Sequence, residues 1–368
     1  MNPEQKELKS SKSSPAIRIR RKLIEFAVPI LFLVLCIIGA YYARLQPAFL
    51  INEIIMRMAR NPVLVLALII PVVAGMGMNF AIVLGAMAGQ IGLIMITHYQ
   101  VAGITGIIVA ALIAIPFAVL FGYLTGKLLN RAKGKEMITS MIFGFFAIYV
   151  WQLFFLVFVG SIIPMRNEKM LLSTGVGIRN TVDLAGIRYA LDDIIKFRDI
   201  PGITIPLSTI IVVALFCILI TFFMKTKLGQ DIRAVGQNME IAAISGIDVD
   251  KIRITAIIIS TVLAAWGQII WLQNIGTLNT YGSHVQVGLF AVAALLIGGA
   301  SVAKANIWQV LLGTFLFHTL FIISPTAGRN LLGDAQIGEF FRVFVAYGVI
   351  AVALVLHAWQ KHSAAKNK

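Results

Sequence analysis

Apolar runs of roughly bilayer length recur from residue 23 to residue 360, parted by short stretches rich in glycine, asparagine and basic residues. A membrane helix needs about 20 mostly apolar residues, and shorter runs suffice where a bundle buries them. On that rule the pattern predicts ten spans, over residues 23–44, 62–77, 79–97, 103–127, 137–161, 204–225, 252–274, 286–302, 306–324 and 341–360. Only "GMGMN" separates the second run from the third. It is either a tight turn between two spans or the break in one discontinuous helix, a form found where transport substrates bind. The expected fold is an all-α integral membrane protein, a polytopic helical bundle. A basic tail over residues 1–22 precedes the membrane domain, 23–360, and a short tail, 361–368, follows it.

One polar interruption is long and patterned: "TKLGQDIRAVGQNMEIAAISGIDVDKIRI", within the loop 226–251 and the start of the next run. Asn238 is a strong helix N-cap, Glu240 sits in the first turn where negative charge meets the positive end of the helix dipole, and Gly246 follows as a stop. These signals define a helix of about two turns, too short to hold alone in water, so it packs on something. Met239, Ile241 and Ile244 form either a knob for a partner's pocket or the face by which a connector packs on its own bundle. A second interruption, 162–202, includes "YALDDIIKFRDI", an imperfect amphipathic pattern of one or two turns. It suits a docking surface for an extracytoplasmic partner or a solvated cap on the bundle.

Charge orients the chain. The sequence has 368 residues, 13% of them charged, with 31 Lys and Arg against 16 Asp and Glu. In a soluble protein that excess would point to nucleic acid; here it is the positive charge of cytoplasmic loops, and no nucleic-acid partner is expected. With ten spans and the N-terminus inside, 20 of the 31 basic residues fall inside, and six of the others lie in the long loop 162–202. Long loops largely escape the positive-inside rule, so both termini are expected inside, with 226–251 cytoplasmic. Cys36 and Cys217, both within apolar runs, behave as small hydrophobes and support neither disulfide nor metal site.

The predicted spans hold no Asp, Glu, Lys or Arg away from their ends, and His318 is their one titratable group, more simply a packing residue than a proton carrier. That weighs against an ion-coupled secondary transporter, which carries intramembrane acids as relays. HExxH and GxSxG are missing, and "GYLTGKLL" has one residue too few between its glycines for a phosphate loop, so neither enzyme nor ATPase is expected and no cofactor. Neutral polarity remains: Asn79, Gln90, Gln152, Gln268, Gln273 and Asn274. Carboxamides supply donors and acceptors without the cost of a charge, which suits either a path for a neutral polar solute or cross-links between helices. Asn79, Gln90 and Gln268 are the candidate pathway residues. Gly85 and Gly89, and again Gly122 and Gly126, form GxxxG steps that let helices approach closely.

Thr226, Gly229, Ala234, Gly236, Asn238, Ala242, Ala243, Gly246 and Ile247 together match a spacing that resembles the cytoplasmic loop of bacterial ABC-importer permeases for ribose and other sugars, nucleosides, the autoinducer-2 signal and branched-chain amino acids. Gly298, Gly299, Ser301 and Gly313 extend the resemblance, with Ala303, Lys304 and Ala305 where the family has a small glycine turn. It covers most of residues 62–360. The resemblance implies a multi-pass permease of the bacterial inner membrane in a bilayer, paired with a second permease, identical or homologous, with cytoplasmic ATPase subunits and with an extracytoplasmic solute-binding protein. It makes the helix after Asn238 the coupling helix, with Gly236, Asn238, Glu240, Ala242, Ala243 and Gly246 as coupling residues. "MNFAIVLGAMAGQIG" lacks the acids of the family's sugar and nucleoside elements yet retains Asn79, Gly85 and Gly89–Gln90, which leans toward nucleoside-like or vitamin-like solutes and away from a strict ribose permease; the expected solute is nucleoside- or sugar-like, with branched-chain amino acids or a vitamin as the alternatives.

Overall fold

Proline and glycine decide where the apolar runs stop being one helix each. The computed structural model describes residues 15–165, 167–197 and 202–366; residues 1–14, 166, 198–201, 367 and 368 lie outside them. The helices are α1 (Pro15–Ala43), α2 (Pro47–Arg60), α3 (Pro62–Leu66), α4 (Ile69–Val73), α5 (Val83–His98, entered through a 3-10 turn at Phe80–Ile82), α6 (Gly103–Arg131) and α7 (Glu136–Leu153, prolonged by a π-helical turn to Phe158). They continue as α8 (Leu207–Phe223), α9 (Lys227–Gln237), α10 (Met239–Ile244), α11 (Val249–Ile275), α12 (Val287–Ile297), α13 (Ile307–Leu332) and α14 (Ala335–Lys366). Among the described residues seven are long and apolar enough to cross a membrane, or nine if each of two bent pairs counts as one span.

The expected ten spans are therefore corrected in three places. Residues 47–60, outside the predicted spans, form α2, which with α3–α4 makes a pair bent by 45° that together is long and apolar enough to span. Residues 62–77 are not one helix. Pro71 has no N–H for the carbonyl of Ala67 and its ring crowds that carbonyl, so the chain breaks there. The freed Ala67 carbonyl accepts instead from the Ser260 hydroxyl at 2.7 Å. The stretch 286–302 holds only the 11-residue α12, about 16 Å long at 1.5 Å per residue, half a bilayer.

The all-α expectation also needs amending. Two short antiparallel pairs occur, β1 (Thr181–Asp183) with β4 (Thr277–Asn279), and β2 (Lys196–Phe197) with β3 (Ile205–Pro206). The first fastens the loop 162–202 over the C-terminal end of α11, where the Leu184 amide donates to the Gly276 carbonyl and the Tyr189 amide to that of Gln273, and the second ties it to the start of α8. The amphipathic pattern of one or two turns expected in "YALDDIIKFRDI" is, over 189–195, a series of turns and bends running into β2, and its last three residues lie outside the described ones. Asp192 explains why: its buried carboxylate accepts from Asn274 and Thr209, which holds the segment against the bundle in a non-helical path.

The glycine steps act as expected. A Cβ on Gly85 or Gly89 of α5 would lie 2.6 Å and 2.5 Å from backbone carbonyls of α11, and one on Gly122 or Gly126 of α6 would lie 2.8 Å and 2.9 Å from the Cα atoms of Ile258 and Ile254. Helix α11 is thus the central post, clasped by α5 and α6. Cys36 is buried and Cys217 half-buried, both as free thiols.

Candidate functional site

Helix α11 also separates two places of interest. Its N-terminal end adjoins α10, and Trp271 near its C-terminal end lines a cavity; from Arg253 to Trp271 the helix rises about 27 Å.

At the first end, Asn238 caps α10 as expected, its side-chain oxygen accepting from the amides of Glu240 and Ile241 at 2.9 and 3.1 Å. Gly246 has φ +83°, the left-handed conformation that ends a helix, and the Ile247 amide returns to the Ala242 carbonyl. Ala242 faces inward at 3% exposure, while Ile241 and Ile244 stand out at 62% and 87%. Ala243 and Glu240 are exposed beside them. Met239 departs from the expected knob: it is half-buried, and its sulfur accepts from the Arg253 guanidinium at 3.2 Å. Gly236 ends α9 against the broken span. A Cβ there would stand 1.9 Å from the Val73 carbonyl, and Gly75, at φ +75°, meets Gly236 in return.

Arg253, not singled out in the sequence, ties this end together. Its side chain is fully buried, pairs with Glu136 of α7 at 2.7 Å and donates to Asn130 of α6 at 2.8 Å. The turn after Gly298 and Gly299 closes with Ala303, Lys304 and Ala305 where a glycine turn was expected. Ser301 Oγ accepts from the Lys304 amide at 3.1 Å, and Gln309 shares a capping box with Asn306 while donating to the Gly299 carbonyl.

At the second end a cavity of about 490 Å³ lies between α2, the start of α3, α11, α12 and α13. Its polar lining includes Arg57, Arg60, Ser283, Gln286 and His318, and Trp271, Phe290 and Phe321 supply aromatic faces. The size falls in the range of small-molecule sites. Of the expected pathway residues, Gln268 and Gln90 come together behind one wall. Gln268 donates to the Ser283 carbonyl at 3.1 Å, and Gln90 Oε1 lies 3.1 Å from His284 Nδ1. Gln90 Nε2, Gln268 Oε1 and His284 Nε2 are buried with no partner among the described residues, so this cluster keeps unused hydrogen-bonding capacity. Burial pushes the His284 imidazole down to about 4, so it is neutral near pH 7.

Asn79 stands apart. It caps the 3-10 turn ahead of α5, accepting from the Ala81 amide at 3.0 Å, about 16 Å along the chain's helical rise from Gln90. Gln273 and Asn274 take the cross-linking role, binding the Leu191 amide and Asp192 of the covering loop. His318 is not a hydrogen-bonded packing residue: it borders the cavity, and its Nδ1 has no partner among the described residues. Arg57 and Arg60 were missed because they sit in α2, outside the predicted spans; the apolar spacing of "PAFLINEIIMRMAR" after an N-terminal proline was the available signal.

Comparison with known proteins puts this two-ended geometry in context. The chain is 25% identical over 338 residues to the D-allose transport system permease protein of Escherichia coli (strain K12), covering 88% of this chain and 90% of that one. It is 28% identical over 175 residues to the xylose transport system permease protein of Haemophilus influenzae, covering 47% and 42%. It is 22% identical over 246 residues to a nucleoside ABC transporter permease protein of Lactococcus lactis, covering 66% and 62%. The chain thus spans about half the length of some relatives, 42% of the xylose protein and 47% of a further Escherichia coli one, and nearly all of the allose one. No solved structure matches the chain. The family described as branched-chain amino acid transport system / permease component matches residues 50–356, and the chain, with its bundle of apolar helices, belongs to that family of membrane transport permeases.

Proposed function

We propose that this chain is the transmembrane permease of a binding-protein-dependent ABC importer that moves a small sugar- or nucleoside-like solute inward. The observation that carries the reading is α10: a capped two-turn helix that turns Ala242 inward and presents Ile241 and Ile244, and whose preceding helix meets the broken span at Gly236. Exposed isoleucines on a short rigid rod suit a pocket on a separate ATPase. In this reading α10 lies in the cytoplasm, the covered end of α11 faces outward in a bacterial inner membrane, and a solute-binding protein delivers to the cavity. A second permease, identical or homologous, completes the complex. ATP-driven closure of the ATPase pair acts through differential contacts with inward- and outward-facing states, since only those shift the equilibrium. Names of relatives support sugars and nucleosides alike, so the lean of the sequence toward nucleosides or vitamins stays a proposal.

Ala243→Arg tests the coupling role without disturbing the core, because Ala243 is exposed. Co-purification of the co-expressed ATPase is expected to be lost while membrane insertion is unchanged. Gly236→Pro is expected to lose it too, with lower thermal stability from the clash at Val73. Normal assembly in both variants would overturn the coupling assignment.

A further inference from the structure

Resting on the permease reading, we infer that the solute held in this cavity carries an oxyanion, a carboxylate or a phosphate, and that Arg57 and Arg60 select it. The two arginines are three residues apart on α2 and so share a face, and both border the cavity. Among the described residues no Asp or Glu lines it. Glu53 of the same helix ion-pairs with Arg57 Nε at 3.6 Å, beyond hydrogen-bond reach, which leaves Arg60 as the arginine with no directly paired acid among the described residues. Asp192 reaches Arg60 only through a neutral amide: Arg60 Nη1 donates to Asn274 Oδ1 at 2.6 Å, and Asn274 Nδ2 donates to Asp192 Oδ2 at 2.7 Å.

The Nε atoms of Arg57 and Arg60 are both buried and without a hydrogen-bond partner among the described residues. Both arginines are half-buried, and a carboxylate or phosphate engages their buried Nε donors through short charge-assisted bonds in the fork geometry that arginine offers. His318 Nδ1, also buried and unpartnered, adds a third polar atom on the opposite helix, α13. The aromatic faces of Trp271, Phe290 and Phe321 accept the remainder of the solute, as a ring or short carbon chain. A zwitterionic amino acid fits less well, because the lining has no carboxylate to receive its ammonium group.

The test measures the cavity's charge directly and needs no partner protein. A cysteine is placed at Gln286, an exposed lining position, in the full chain with Cys36→Ala and Cys217→Ala, and the purified protein is held in lipid nanodiscs. Ser283→Cys serves as a second position. Modification rates are compared for a sulfonate-bearing and a trimethylammonium-bearing methanethiosulfonate, each divided by its rate with free 2-mercaptoethanol. The anionic reagent is expected to be favoured by about tenfold, falling toward parity at raised salt or with Arg57→Gln and Arg60→Gln. Ribose 5-phosphate and gluconate are expected to protect the cysteine at concentrations where ribose and glucose do not, the two anions separating a phosphate from a carboxylate preference. Equal normalised rates, an anionic preference unchanged by the arginine variants, or equal protection by the neutral sugars would overturn the inference. Retention of the anionic preference in a protein that fails to bind any ATPase would defeat the permease reading instead.

Discussion

Arg253 is the residue on which the α10 end depends most. Removing one partner of a buried ion pair leaves an uncompensated charge at a cost of about 3–5 kcal/mol, whereas replacing both by apolar residues of similar volume is often neutral. Glu136→Ala is therefore expected to lower the thermal unfolding temperature in detergent markedly, and Glu136→Met with Arg253→Met to restore much of it. Equal losses in both proteins would contradict the pairing. His284 gives a pH signature at the other end. Its folded-state value, about 4, lies below the ordinary histidine value near 6.5, so the unfolded chain takes up the proton first as pH falls. Its contribution is full above about pH 6.5, declines toward about pH 4 and then levels. Thermal unfolding measured across that window is expected to show a slope that His284→Gln removes. Neither residue was legible in the sequence as a partner of anything, because Glu136 and Asn130 are brought to Arg253, and Gln90 to His284, only by the packing of distant helices.

Elements were legible where their signals are local. Asn238 and Gly246 bound α10 through capping that acts within a few residues, and the GxxxG steps of α5 and α6 found their close neighbours on α11. Gly89→Leu puts a bulky side chain against the Ala265 carbonyl and is expected to separate α5 from α11, with a lower yield of monodisperse protein in size-exclusion chromatography; unchanged yield and stability would argue against that contact. Elements were misread where a tertiary partner overrides a uniform apolar run. The break at Ala67 needs Ser260 to satisfy its carbonyl, and α12 stays short because the chain before it dips into the bundle as the turn holding His284. Helix α2 was overlooked since its arginines and Glu53 dilute the hydropathy, although those same arginines bring charge to the cavity.

The whole molecule is a two-ended device. The exposed isoleucines of α10 stand at one end of α11, the cavity at the other, and two routes join them: α11 itself, anchored by Arg253, and the contact of Gly236 with the broken span that continues through α3 to the arginines of α2. In the proposed mechanism a push on α10 reaches cavity walls on both sides. The family and its membrane character follow from apolar runs and loop spacing that survive in any single sequence; the charge of the cavity does not, because it depends on which faces meet. Uptake of labelled solute into proteoliposomes containing the permease, its ATPase and its binding protein tests the central claim most directly, comparing the native chain with Ile241→Asp plus Ile244→Asp. The account predicts ATP-dependent accumulation by the native complex and loss of it in the double variant, with the bundle still folded. Full-rate uptake without any ATPase, or undiminished ATP-driven uptake by the double variant, would contradict it.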